Sequence, residues 1–175
     1  IETLEPSWRG ELELTDAIQV LLDRNLSIDS HVVEGWWKHT GKPEDILDAN
    51  RLVLQDISLR VDGTVNPEAE VKGDVVVPAS ATIESGAVVR GPVSLGEDVV
   101  LRSRAYVGPN TSIGDGCEII DTHIENSVVV GESTINTDEV MVDSLIGRGA
   151  TVESATALRP EGARLVIGEN SQLKL

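Results

Sequence analysis

From Val65 onward an aliphatic residue returns at every sixth position: Val65, Val71, Val77, Ile83, Val89, Leu95, Leu101, Val107, Ile113 and Ile119. Two residues before most of them stands a small or β-branched residue, as at Ala69, Val75, Ala81, Ala87, Val93, Val99, Ala105, Thr111 and Cys117. Gly, Asp, Asn, Glu and Pro fill the intervening positions, as in Gly108-Pro109-Asn110 and Gly114-Asp115-Gly116. A period of six is not the three-and-four spacing of a helix stripe, nor the strict alternation of a hairpin. Strands of two or three residues separated by tight corners do satisfy it. Three such units close one triangular coil, and coils stack at the ordinary inter-strand spacing of ~4.8 Å. Both repeating positions then point inward, and each large one contributes roughly 1.5–3 kcal/mol on burial. After Ile119 the spacing falters but survives through Ile124, Val130, Ile135, Met141, Ile146, Val152 and Leu158, and resumes at Ile167 and Leu173. Steps of five there predict slipped corners and a less regular cap.

Residues 1–55 follow another pattern. Thr15-Asp16 ahead of Ala17, Ile18, Leu21 and Leu22 reads as an N-cap and a short amphipathic helix closing near Asn25. Ser27 to Glu34 alternates like a strand, and the loop from Gly35 to Pro43 feeds a second helix from about Glu44 to Leu54. Helix, strand, loop and helix suggest the end of an α/β domain whose other strands are absent. Two domains are therefore expected, 1–55 and 56–175.

The chain of 175 residues has no Phe, which a narrow aliphatic column does not need, and one Cys, which cannot build a disulfide framework. Its 30 acidic against 14 basic residues give a net charge of −16. Such a surface repels phosphate backbones and anionic membranes. No apolar run approaches a membrane span. These features predict a cytoplasmic protein with neither nucleic-acid nor membrane partners. Among the basic residues Arg far outnumbers Lys, a composition that resembles cytosolic proteins of salt-loving organisms, where salt screens self-repulsion. Ile1 is not a natural start, so the sequence is expected to begin inside a longer protein.

Specific segments narrow the choice. Pro6-Ser7-Trp8-Arg9-Gly10-Glu11-Leu12-Glu13-Leu14-Thr15-Asp16 resembles the R-G-E-L-E-[IL]-T-D segment of the sugar-1-phosphate nucleotidylyltransferases. Gly35-Trp36-Trp37-Lys38-His39-Thr40-Gly41 resembles the W-x-D-T-G segment of the same enzymes. The hexapeptide repeat that follows is similar to the left-handed parallel β-helix carried by the long form of glucose-1-phosphate thymidylyltransferase. The resemblance implies a mainly β fold: a left-handed β-helix preceded by the C-terminal remnant of an α/β nucleotidyltransferase domain. It implies a parent that converts dTTP and glucose 1-phosphate to dTDP-glucose and pyrophosphate with Mg²⁺, the β-helix serving assembly or regulation in a homo-oligomer. The family's nucleotide loop and catalytic basic residues have no counterpart here, so the fragment is expected to be inactive alone and to hold no cofactor. The rival reading is a hexapeptide-repeat acyltransferase, or a bifunctional uridylyltransferase/acetyltransferase.

The resemblance also implies site residues. Arg9 matches the Arg at the sugar-nucleotide pocket, where a guanidinium fork suits phosphate; the plainer role is a salt bridge to Glu11 or Glu13. Trp36 and Trp37 suit a sugar or base pocket or simple packing, and Lys38 and Lys42 suit phosphate contact. His39 stands where the family has its Mg²⁺-binding Asp, and imidazole poorly replaces carboxylate for a hard cation; Glu44 and Asp45 lie nearby. His123, at an expected inward position, is the candidate general base of the rival reading, and Cys117 is expected to be a buried, inert thiol.

Overall fold

The computed structural model describes residues 4–35, 37–154 and, for the backbone alone, 164–166. Trp36, Leu158, Ile167 and Leu173 lie outside the described residues. The chain forms two compact units, Ile1–Trp37 and Lys38–Leu175.

In the first unit, helix α1 spans Leu14–Asp23 and ends where Asn25 turns into the left-handed region at φ 53°. The helix begins one residue before the expected Thr15 cap: Glu13 is the N-cap, in extended backbone and without a side-chain cap. None of its residues is buried, and Leu14, Ile18, Leu21 and Leu22 present their apolar side chains to solvent. The expected strand at Ser27–Glu34 is not formed. A strand needs a neighbour for its N–H and C=O groups, and no other strand is described in this unit. Alternation without a partner leaves Ile28, Val32 and Val33 exposed.

The second unit opens with helix α2, Pro43–Leu54. Pro43 presets the first turn, and the Asp45 carboxylate accepts a hydrogen bond from the Lys42 backbone N–H at 3.1 Å. Leu47 and Leu54, two turns apart, are its buried stripe. Beyond it the chain winds as a parallel β-solenoid with three faces. The first face stacks Arg60–Val61, Val75–Val77, Val93–Leu95, Thr111–Ile113, Val128–Val129 and Leu145–Ile146. The second stacks Thr64–Val65, Thr82–Ile83, Val100–Leu101, Glu118–Ile120, Thr134–Asn136 and Thr151–Glu153, and is closed by antiparallel Arg164–Val166. The third stacks Glu70–Lys72, Val88–Arg90, Tyr106–Val107, His123–Glu125 and Val140–Val142.

The six-residue pattern maps onto this stack. Ile83 pairs with Val65 on one side and Leu101 on the other, and Val77 to Ile119 form one buried aliphatic column, with Val65 and Val71 packed against its end. The residue before the small inward position adopts the left-handed conformation at corner after corner, at Gly86, Asp98, Arg104, Asn110, Gly116, Asp121, Asn126, Glu132, Asp143 and Gly149. That requirement explains the Gly, Asp and Asn in the pattern, since these pay least for positive φ.

After Ile119 three corners lose one residue. The inward series runs Ile119, Ile124, Val129, Ile135, Met141, Ile146, Val152, so the partner of Ile113 is Val129 and not the expected Val130, which is 43% exposed. Each shortened corner has the form x-[Asp/Asn]-[Ser/Thr]: Ile120-Asp121-Thr122, Glu125-Asn126-Ser127 and Val142-Asp143-Ser144. The hydroxyl donates back to the carbonyl two residues earlier, at 2.7, 2.6 and 2.8 Å respectively. Thr122 and Ser127 also accept from the N–H of Thr137 and Ser144 in the coil above. A buried hydroxyl thus completes the backbone bonding that the shorter corner leaves open.

Candidate functional site

The Arg9 segment folds as a tight turn. Gly10 takes φ 77°, its N–H donates to the Ser7 carbonyl at 2.8 Å, and the Ser7 N–H donates to the Glu11 carbonyl at 2.8 Å. Ser7 Oγ donates to Glu13 at 3.1 Å, so Glu13 is engaged by a hydroxyl. Arg9 lies over the Trp8 ring with its guanidinium carbon 5.2 Å from the centroid. Among the described residues it pairs with neither Glu11 nor Glu13. A shallow hollow lined by Ser7, Trp8, Arg9, Glu13 and Asp16 leaves the guanidinium and the Trp8 face accessible. Trp37, at the end of this unit, is largely exposed.

The loop Lys38–Lys42 belongs to the second unit. Lys38 Nζ sits between two carboxylates of α2, 2.8 Å from Asp48 and 3.2 Å from Asp45. The hydrogen bond to Asp48, then that to Asp45, holds the ammonium above its ordinary pKa. Lys38 in turn holds the Asp48 carboxyl below its ordinary range. The lysine is therefore an anchor of its loop as well as a charge. Asp45 serves both Lys38 and the α2 N-terminus. His39 is exposed, and its ring lies over Gly41, where an added Cβ would come within 2.8 Å of Nε2. Among the described residues no group of three His, Cys, Asp or Glu side chains could hold a metal ion. The described residues therefore do not by themselves fit a Mg²⁺ site.

The residues that sequence reasoning missed are Asp48, Asn50 and Arg51. Asn50 Nδ2 donates to the Asn110 carbonyl at 2.9 Å, and its Oδ1 accepts from Ser112 Oγ at 2.6 Å. Arg51 donates from Nη1 to Asp48 at 2.8 Å and from Nε to Asn126 at 2.7 Å. The i,i+3 spacing of Asp48 and Arg51 was the one signal available in the sequence; their partners across the solenoid had none.

His123 is not inward. Thr122 takes the buried slot, and His123 lies on the outer side of the third face, its ring 5.3 Å from that of Tyr106 and tilted 45°. The shortened corner moves the inward position one residue earlier than a six-residue count allows. Tyr106 donates to Glu125 at 2.8 Å, and this bond, with burial, raises the phenol pKa. Cys117 is buried as expected, and desolvation pushes its thiol up, away from nucleophilic thiolate.

Comparison with known proteins bears on both readings. The family model "GMPPB C-terminal domain" matches residues 89–174. Low-salt glycan biosynthesis nucleotidyltransferase Agl11 of Haloferax volcanii is 69% identical over 175 residues, which is 100% of this chain and 49% of that protein. Glucose-1-phosphate thymidylyltransferase of Streptomyces antibioticus is 40% identical over 175 residues, 100% of this chain and 48% of that protein. The chain is thus similar along its whole length to a nucleotidyltransferase and to a glucose-1-phosphate thymidylyltransferase. It corresponds to the C-terminal part, and it spans about half the length of these relatives. Bifunctional protein GlmU of Methanococcus aeolicus is 39% identical over 153 residues, 87% of this chain and 37% of that protein. The Haloferax relative is consistent with the acidic, Lys-poor composition of this chain. Among its described residues no helix is long and apolar enough to cross a membrane.

Proposed function

We propose that the whole protein containing this chain is a glucose-1-phosphate thymidylyltransferase. A phosphate oxygen of glucose 1-phosphate attacks the α-phosphorus of dTTP, the bond from that phosphorus to the bridging oxygen breaks, and pyrophosphate leaves. Such a transfer depends on positioning and charge neutralisation more than on covalent chemistry by the protein. The observation that carries this reading is similarity to a thymidylyltransferase along the entire chain, including the Arg9 turn and the Lys38–Lys42 loop.

On this reading Arg9 contributes a guanidinium to a phosphate or sugar; Trp37 is a separate candidate for sugar or base contact, and Lys38 for phosphate contact. Mg²⁺ is the expected metal and would neutralise charge on the phosphates. The His39 imidazole is a poor hard-cation ligand, so the oxygen donors for Mg²⁺ would come chiefly from the other half of the protein. The solenoid serves assembly or regulation of a cytoplasmic homo-oligomer.

The test is pyrophosphate release from dTTP and glucose 1-phosphate by the full-length protein, with the 175-residue chain in parallel. Release by the full-length protein and none by the chain is expected. No release with any nucleoside triphosphate and hexose 1-phosphate would overturn the reading. The similarity to GlmU favours acetyl transfer as a second reading; acetyl-CoA-dependent acylation of an amino sugar phosphate would establish it.

A further inference from the structure

Deepening that reading, and resting on it for the identity of the substrate, we propose that Arg51 is a positioning residue. Through it the solenoid holds the Lys38–Lys42 loop in the geometry that receives the sugar phosphate. A continuous chain of polar contacts runs from the loop to the solenoid. Lys38 Nζ meets Asp48 at 2.8 Å, the other oxygen of Asp48 meets Arg51 Nη1 at 2.8 Å, and Arg51 Nε donates to Asn126 at 2.7 Å. Asn126 in turn donates from its amide to Asp143, one coil further on.

The arrangement does more than fasten a helix to a sheet. Burial of Leu47 and Leu54 attracts α2 to the solenoid but is non-directional and leaves its rotation and register loose. Directional bonds remove that freedom: Asn50 spends both ends of its amide on Asn110 and Ser112. Arg51 differs from Asn50 because its fork serves two masters, Asp48 on the loop side and Asn126 on the solenoid side. The shortened corner is what presents Asn126 there. The residue sits at φ 45°, in the corner whose missing position is compensated by the Ser127 hydroxyl.

Two variants of the full-length protein test this. Arg51→Met removes both donors and keeps the aliphatic stem. Asn126→Gly removes the acceptor for Arg51, together with the bond to Asp143, and keeps a residue that accepts positive φ, so it decides the matter should Arg51→Met fail to fold. Backbone hydrogen–deuterium exchange at residues 39–42 is expected to quicken about tenfold in either variant, the scale of one charge-assisted hydrogen bond. The KM for glucose 1-phosphate should rise by a similar factor, with kcat within about twofold. In exchange, combining Lys38→Met with Asn126→Gly should add little to either single change, because both break the same connection. Unchanged exchange, or faster exchange with unchanged KM, would overturn the proposal. If the wild-type protein turns over no sugar phosphate, the proposed activity fails while exchange alone still decides whether the solenoid holds the loop.

Discussion

Replacing Ser133 by Ala tests the idea that buried hydroxyls sustain the irregular coils. Ser133 is fully buried; its Oγ lies 3.0 Å from the carbonyls of Val130 and Gly147 and accepts from the Ala150 N–H at 3.1 Å. Ala150 is 1% exposed, so no water can replace the lost acceptor. In the coils before Ile119 the equivalent N–H, for example that of Ala105, donates to a backbone carbonyl instead, and Ala serves there. Loss of the hydroxyl therefore orphans a buried donor, at about 1–3 kcal/mol, and forfeits a bond to a carbonyl besides. A loss of about 2 kcal/mol is expected, which lowers the melting temperature by roughly 4–8 °C for a unit of this size. Ser133→Thr should stay within about 0.5 kcal/mol, as expected of a change that keeps the critical groups, because Thr111 and Thr122 occupy equivalent inward slots. Thermal and urea unfolding, followed by circular dichroism in concentrated KCl, measures both. An Ala variant as stable as the wild type, or a Thr variant as damaged as Ala, would refute the reasoning.

Ile83→Asp places an unpaired charge in the fully buried column between Val65 and Leu101 and should cost about 4 kcal/mol or more; an unchanged melting temperature would refute the inward register. Raising KCl from about 0.1 to 2 M should raise the melting temperature by screening a net charge of −16, and a flat or falling trend would refute the salt-adapted reading. The Asp48 carboxyl, depressed by Lys38, should titrate below its ordinary value of 3.8 and return towards it in Lys38→Met, as read by NMR. Because its folded pKa is the lower one, the stabilisation from this pair is present above about pH 4 and lost as pH falls through the folded value. An Asp48 midpoint at or above its ordinary value in the wild type would refute the pairing.

How much was legible in the sequence depends on whether a residue's surroundings were local. The column from Val77 to Ile119 was legible because each coil repeats the same geometry, so period and burial coincide. The register beyond Ile119 was only partly so: counting sixes placed His123 and Val130 inward, whereas the residue lost from the corners at Asp121 and Asn126 pulls the inward slots back to Thr122 and Val129. The Asp/Asn-Ser/Thr pairs that mark these corners were visible, but their meaning depends on bonds to the next coil. The strand expected at 27–34 failed for a related reason, since alternation sets which side chains share a face but supplies no partner strand. In the candidate site, Arg9 was singled out by its resemblance to a family segment, whereas the turn that Gly10 makes there was not read from the sequence. The anchoring of Lys38 by Asp45 and Asp48 spans a loop and a helix, and Arg51 to Asn126 spans 75 residues, beyond the reach of any spacing rule.

The most direct test is ³¹P NMR of the full-length protein incubated with dTTP, glucose 1-phosphate and Mg²⁺. Equal growth of dTDP-glucose and pyrophosphate resonances, with none from the 175-residue chain alone, is the result expected of a thymidylyltransferase whose C-terminal part is the solenoid described here. Unchanged substrates, or inorganic phosphate without a nucleotide sugar, would contradict it.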